Sequence, residues 1–345
     1  MIRDHESNRG RTGRLPVIDL APSAWDEFQG AARAIESDPF ENFDSFVRET
    51  ASVASTLPAA VIDAVTAFAA HGNSAGALLI RHTPPLTELP PTPTVVRHRA
   101  VTTDRLSEIV MLAVGALVGH PLSYAQERNG AFLQDVHPIR SQERKVSSQS
   151  SAVDLGYHSE MMFHPTPPDV LMLYVVRHDH GRQARTQLSS ARDFLGDLTQ
   201  ATIDALHRPE FMIEVSRLHS PYLAAGQPVR AVTDGPAFAV LTGTIQDPVL
   251  RFEPELTRAL TSNAERALVE LENAVLRHQR GEALEQGSML LIDNRRAVHA
   301  RTRYEARYDG TDRWLRRMHL IRHEAGDIVP RPVRLSTDLK QGWSS

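Results

Sequence analysis

From about residue 131 onward the chain breaks into short apolar or alternating runs separated by turn residues. "AFLQDVHP", "VLMLYVVRH", "RTQLSS", "FMIEVSR", "AFAVLTG", "SMLLIDN" and "MHLIRH" are all of this kind. Runs so short and so regularly punctuated predict an all-β sandwich or barrel. The first third reads differently. Residues 41–73 show apolar positions at helical spacing, broken near Pro58 and stopped by a glycine. "AGALLIRH" (75–82) predicts a strand, and "TPPLTELPPTPT" a proline-rich connector. Residues 104–118 predict a mostly buried helix capped by Asp104. One helical pattern returns late, over 254–280, with Gly281 as its stop. The expected organisation is a single domain over 15–345. Its helical part runs to about 120 and its β core over about 121–325, interrupted by the insert. Residues 1–14 are polar and mixed in charge, a frayed start rather than a signal peptide.

Composition narrows the chemistry. The chain has 345 residues, 41% hydrophobic and 23% charged, with no run of apolar residues long enough to span a membrane. A cytoplasmic location is expected. The net charge of −4 argues against a nucleic-acid binder. There is no cysteine, so any metal site must be built from His, Asp and Glu. Nearly every basic residue is Arg, which makes an isolated Arg weak evidence of anything.

One stretch carries candidate chemistry. "DLGYHSEMMFH" (154–164) holds His158, Glu160 and His164. On a strand, His158 and Glu160 would share a face. With 16 His and 42 acidic residues in 345 positions, about two His-x-acid triplets arise by chance, and this is the only one. A surface ion pair is therefore the ordinary reading of the triplet alone. Downstream, His299 sits between small apolar neighbours in "AVHA", after the strand "SMLLID". If its strand returns beside His158, the three side chains form two His and one carboxylate. That set, with open positions opposite, suits non-haem Fe(II) oxygenases. Arg313 and Arg317 follow, four apart and so able to share one face. Arginine suits bidentate binding of a carboxylate. His178 and His180 also lie two apart, before Gly181. A solvated turn is the plain reading, and a zinc or cupin-type metallohydrolase the rival one. A non-catalytic binding module is a second rival. Arg295, Arg296, Arg303 and Arg316 are read as surface residues, and Trp314 and Tyr304 as packing.

"GYHSEMMFHPTPPDVLMLYVVRHD" together with "LLIDNRRAVHARTRYEARYDGTDRWLRR" resembles the clavaminate-synthase-like family of iron(II)/2-oxoglutarate oxygenases, from about Tyr124 to Arg317. The family includes hydroxylases of free arginine, asparagine and related amino acids. The resemblance implies a distorted double-stranded β-helix, or jelly roll, with helices around it. It implies iron ligands at His158, Glu160 and His299, with O2 and 2-oxoglutarate as co-substrates. Arg313 is implied to hold the distal carboxylate of 2-oxoglutarate, assisted by Thr186. Arg317 matches an arginine near the substrate carboxylate, and Glu127 a group set against the α-amine. Ser148 falls in a segment that touches substrate. Glu253 falls where relatives reach the far end of the side chain, with Glu where Asp is usual. Retention of the Glu160 carboxylate implies hydroxylation rather than halogenation. The acidic candidates imply a long polar side chain such as that of arginine, citrulline or lysine, in a natural-product setting such as antibiotic biosynthesis.

Overall fold

The computed structural model describes residues 15–84, 86, 88–95, 105–125, 127–213, 236–324 and 329–336. Strands β1 (Val17–Asp19), β2 (Ala77–Arg81), β3 (Gly119–Tyr124), β4 (Leu133–Val136) and β5 (Leu155–His158) come first. Next are β6 (Val170–Arg177), β7 (Arg185–Ser190), β8 (Phe211–Ile213), β9 (Leu241–Gly243), β10 (Pro248–Leu250) and β11 (Thr257–Ala259). The last are β12 (Arg280–Ala283), β13 (Met289–Asp293), β14 (Ala297–Arg301), β15 (Trp314–Arg322) and β16 (Val333–Leu335). Helices are α1 (Asp26–Ala32), α2 (Phe43–Ser52), α3 (Ala59–His71), α4 (Leu106–Ala116), α5 (Ala191–Phe194), α6 (Gln200–Leu206) and α7 (Ser262–Arg277).

Two sheets form the core. The larger has eight strands in the order β1-β2-β13-β6-β15-β3-β16, with β4 also paired to β15. The smaller runs β12-β7-β14-β5. The period-two rule shows why β6 reads as an unbroken apolar run. Val170, Met172, Tyr174 and Val176 pack under α2, α3 and α4, while Leu171, Leu173 and Val175 face Leu188 and Ala297 of the smaller sheet. β13 divides the same way, Met289 and Leu291 against Leu290 and Ile292. The other side of the smaller sheet is covered by α5, α6 and α7, with Val298 in that second apolar cluster. A short turn carries the chain from β13 in one sheet to β14 in the other. No single described helix is long and apolar enough to cross a membrane.

Several boundaries agree with the sequence pattern. The 41–73 helix is broken at Pro58, and Gly72 ends it at φ 61°, a conformation that costs a side-chain-bearing residue free energy. Gly76, at φ 65°, has a second reason to be glycine: a Cβ there would lie 2.7 Å from that of Ala297. Other boundaries move. The late helix starts at Ser262, not 254, because Thr261 caps it by accepting from Ala264 N at 3.1 Å. Residues 257–259 pair with β8 instead. Its stop is His278; Gly281 lies inside β12. Glu253 is therefore not a first-turn helix carboxylate. The expected cap Asp104 lies outside the described residues, as do 1–14 and the end of "FMIEVSR"; α4 begins after Arg105, in left-handed geometry.

Arg296 and Arg316 are not surface residues. Arg296 is buried against Asp293 and Asp247. Arg316 is fully buried, with Nη1 2.8 Å from Glu108 Oε2 and Nε 3.4 Å from Asp135 Oδ1. One reason covers both: buried charge needs a partner distant in sequence, and local pattern does not display it. Trp314 is also core, donating from Nε1 to Asp135 Oδ1 at 2.8 Å.

Candidate metal centre and adjoining cavity

The antiparallel pairing of β14 with β5 sets His299 directly opposite His158. β5 ends at His158, so Glu160 does not share a strand with it. It enters from the turn that follows, ahead of Met161 at φ 53°. Asn294 holds that turn from both sides. Its Oδ1 accepts from Glu160 N at 2.7 Å, and its Nδ2 donates to the carbonyls of Glu160 and Pro168 at 3.1 and 2.8 Å. Nothing in the local sequence pattern marks Asn294 for this role.

The three side chains converge. Glu160 Oε2 lies 3.7 Å from His299 Nε2 and 4.0 Å from His158 Nε2. All three candidate donor atoms lie within 4.8 Å of one another, the sole such group among the described residues. The donors are in metal-binding forms. Gly156 O sits 2.9 Å from His158 Nδ1, which assigns the proton there and turns Nε2 inward. Burial, reinforced by the nearby His158, pushes the His299 pKa well below its ordinary value and keeps the ring neutral. Burial opposes ionisation of Glu160, but Arg317 and then His319 and His158 outweigh it and hold the carboxyl well below the usual range. Neutral imidazole and ionised carboxylate are what a divalent metal requires. These residues fit Fe(II).

A folded-state pKa lowered at a histidine has a sign. Folded His299 binds fewer protons than unfolded His299, so the metal-free chain loses stability as pH falls below about 6.5. His299→Gln should flatten that part of a stability–pH profile measured in urea without metal. An unchanged slope contradicts the assignment.

β15 supplies the second half of the site through its alternation. Trp314, Arg316, Met318 and Leu320 face the helices, whereas Leu315, Arg317 and His319 face the smaller sheet. Arg317 Nη1 donates to Glu160 Oε1 at 2.8 Å, Nη2 donates to Glu127, and Nε donates to Gln134 Oε1 at 3.1 Å. Glu127 is 2% exposed, far from a surface acid. His319 lies 3.5 Å from Glu160 Oε1 and 3.9 Å from Glu127 Oε2. One Glu160 oxygen is thus tied to β15 and the other left toward the histidines. Gln134 and His319 went unnoticed in the sequence. The alternation of β15 after Arg317 points to His319; nothing local points to Gln134.

A cavity adjoins the three ligands and is lined by Ser148, Thr186, Arg301, Arg313 and Arg317 with leucines from β6 and β15. Arg313 is buried, which lowers its pKa, and its guanidinium sits 5.8 Å from the ring of Tyr304. Glu127 lies behind Arg317 and does not line the cavity. Glu253 does not line it either. It is half-buried, next to Phe252, whose carbonyl accepts from Ser159 N at 2.9 Å. His178 and His180 join no metal cluster among the described residues; Thr311 Oγ1 lies 2.9 Å from His180 Nε2. His180→Ala should therefore leave metal content and turnover near wild type, and loss of metal there would restore the hydrolase reading.

Such a ligand triad, opening on a cationic pocket within a two-sheet core, defines a mononuclear non-haem iron dioxygenase. The chain belongs to the taurine catabolism dioxygenase TauD, TfdA family, whose model matches residues 94–319. It is 33% identical to an L-lysine 3-hydroxylase from Catenulispora acidiphila, over 88% of this chain and 84% of that one. It is 31% identical to clavaminate synthase 2 from Streptomyces clavuligerus, over 91% of this chain and 94% of that one. Among solved structures it resembles asparagine oxygenase in complex with Fe(II), (2S,3S)-3-hydroxyasparagine and succinate. That match has a TM-score of 0.78 at 30% identity and covers 88% of this chain and 93% of the other.

Proposed function

We propose that this chain hydroxylates an unactivated side-chain carbon of a free L-amino acid with a long polar side chain, using Fe(II), 2-oxoglutarate and O2. The observation that carries this reading is the Glu127–Arg317 pair, hydrogen-bonded directly to the candidate iron ligand Glu160. An amino acid presents an ammonium and a carboxylate at a fixed separation. A buried acid and a buried guanidinium side by side are its complement. Bound iron with 2-oxoglutarate and O2 supplies the oxidation that places a hydroxyl on carbon, with succinate and CO2 as co-products. The chain's part is to hold. Arg317, which lines the cavity, would take the carboxylate, and Glu127, paired to it, would take the ammonium by turning from Arg317 toward the cavity; distance along the side chain then selects the carbon attacked. Arg313, with Thr186 beside it, takes the distal carboxylate of 2-oxoglutarate. Ser148 contributes to the wall, and Glu253, outside the cavity lining, is assigned the far end of the side chain. The leucines exclude water. The setting would be natural-product biosynthesis, and the two sheets would be the halves of a distorted jelly roll forming one domain over 15–345.

A screen of the common amino acids with citrulline and ornithine, scored for gain of one oxygen atom, tests the reading. Gain by none of them, with active iron and 2-oxoglutarate present, would sink it. Glu127→Gln is the cleaner variant, because Arg317 also touches Glu160 and its removal disturbs both sites. Glu127→Gln should raise the amino-acid KM about tenfold or more, the worth of one charge-assisted hydrogen bond, with little change in that for 2-oxoglutarate. It should also give succinate without hydroxylated product. Tight coupling and unaltered KM in this variant would refute the α-ammonium role.

A further inference from the structure

Arg301 stands two residues beyond His299 on β14 and lines the same cavity, 5% exposed. Strand alternation puts it on the ligand's side. Its outer nitrogens are spent on the 150–153 segment. Nη1 donates to Ser150 O, and Nη2 donates to Ser150 Oγ and Val153 O, each at 2.9 Å. Its Nε–H is different: buried, with no hydrogen-bond partner among the described residues. A buried donor left so is costly unless something fills the place.

The charge around it leads the same way. Arg301 and Arg313 flank one phenol, with guanidinium carbons 5.3 and 5.8 Å from the Tyr304 ring centre. No carboxylate among the described residues pairs with either at ion-pair distance; Asp154 and Asp179 act on Arg301 and Arg313 only from farther off. Thr186, the third polar group at this end, is directly opposite Arg301 in the β14–β7 ladder. Two confined cations and a hydroxyl, with no carboxylate in direct contact among the described residues, describe the receptor for a carboxylate.

We infer that Arg301 is a second cationic partner of the dicarboxylate co-substrate, acting with Arg313 on the carboxylate remote from the metal through its free Nε–H. The inference rests on the 2-oxoglutarate reading above. Its bland competitor is a strut, in which Arg301 merely ties the cavity wall around Ser150 to the ligand strand.

The two separate by ligand. 2-Oxobutyrate keeps the 2-oxo acid head and lacks the distal carboxylate. Binding of each to the full chain loaded with redox-silent Zn(II) is measured by calorimetry, without turnover. In Arg301→Gln, 2-oxoglutarate should bind about tenfold more weakly or worse, one charge-assisted hydrogen bond, with 2-oxobutyrate little changed. If both weaken together, or neither does, the inference fails and the strut stands. If the wild-type chain binds 2-oxoglutarate no better than 2-oxobutyrate, the co-substrate reading itself fails. Should Arg301→Gln not fold, the wild-type chain carries the test. Its Arg301 Nε–H resonance, identified by its loss in Arg301→Lys, should shift with 2-oxoglutarate and not with 2-oxobutyrate. An unmoved resonance overturns the proposal.

Discussion

His299→Ala should leave a folded chain that neither retains Fe(II) nor forms succinate. Three observations set the size of the effect. The residue faces His158 across a strand pair, which fixes its place in the site. Among the described residues there is no second group of three ligands to which metal could relocate. The remaining pair, His158 and Glu160, is a weak chelate, and the loss should exceed the roughly 10–100-fold that removal of an outer partner of a metal ligand costs. Metal content after dialysis, together with succinate release, measures it. His158→Ala should behave alike. Iron retained stoichiometrically by either variant would remove the triad from the site.

Arg316→Ala should produce the largest loss of stability, about 3–5 kcal/mol, the usual result of stripping one partner from a buried ion pair. The guanidinium is fully buried between Glu108 on α4 and Asp135 on β4, and those carboxylates raise its pKa although burial opposes its charge. Removing it leaves two acids without their cation beneath the sheet. A domain typically has only about 5–15 kcal/mol in hand, so such a variant approaches unfolding at room temperature. The urea midpoint reads the effect directly. Arg316→Met combined with Glu108→Leu should recover most of the loss, because a well-packed apolar replacement avoids desolvating charge. A midpoint unmoved by Arg316→Ala would show that the network carries no stability.

What could be read from the sequence follows a physical division. Strands buried on both faces, such as β6 and β13, announce themselves as continuous apolar runs. Pro58 and Gly72 mark their helix ends through backbone geometry alone. The short strands β10, β11, β12 and β16 carry no such mark, since pairing partners far along the chain decide them. The triad shows the same division. His158 and His299 depend on a strand pairing that could be stated only conditionally. Glu160, thought to share a strand with His158, arrives from a turn that Asn294 holds. Arg316 and Arg317 are adjacent identical letters with opposite fates, because one faces the helices and the other the cavity. No count of arginines distinguishes them; the phase of β15 does.

The smaller sheet places its two histidines unequally. β14, with His299, is enclosed between β7 and β5, whereas β5, with His158, is the sheet's edge. Peeling an edge strand breaks one ladder, and freeing an inner strand breaks two. Amides of 155–158 should therefore exchange with deuterium sooner than those of 297–301. Iron bound by these residues would inherit the asymmetry: His158 would be the ligand released first, and the dissociation rate of iron should report how often the edge of this sheet opens.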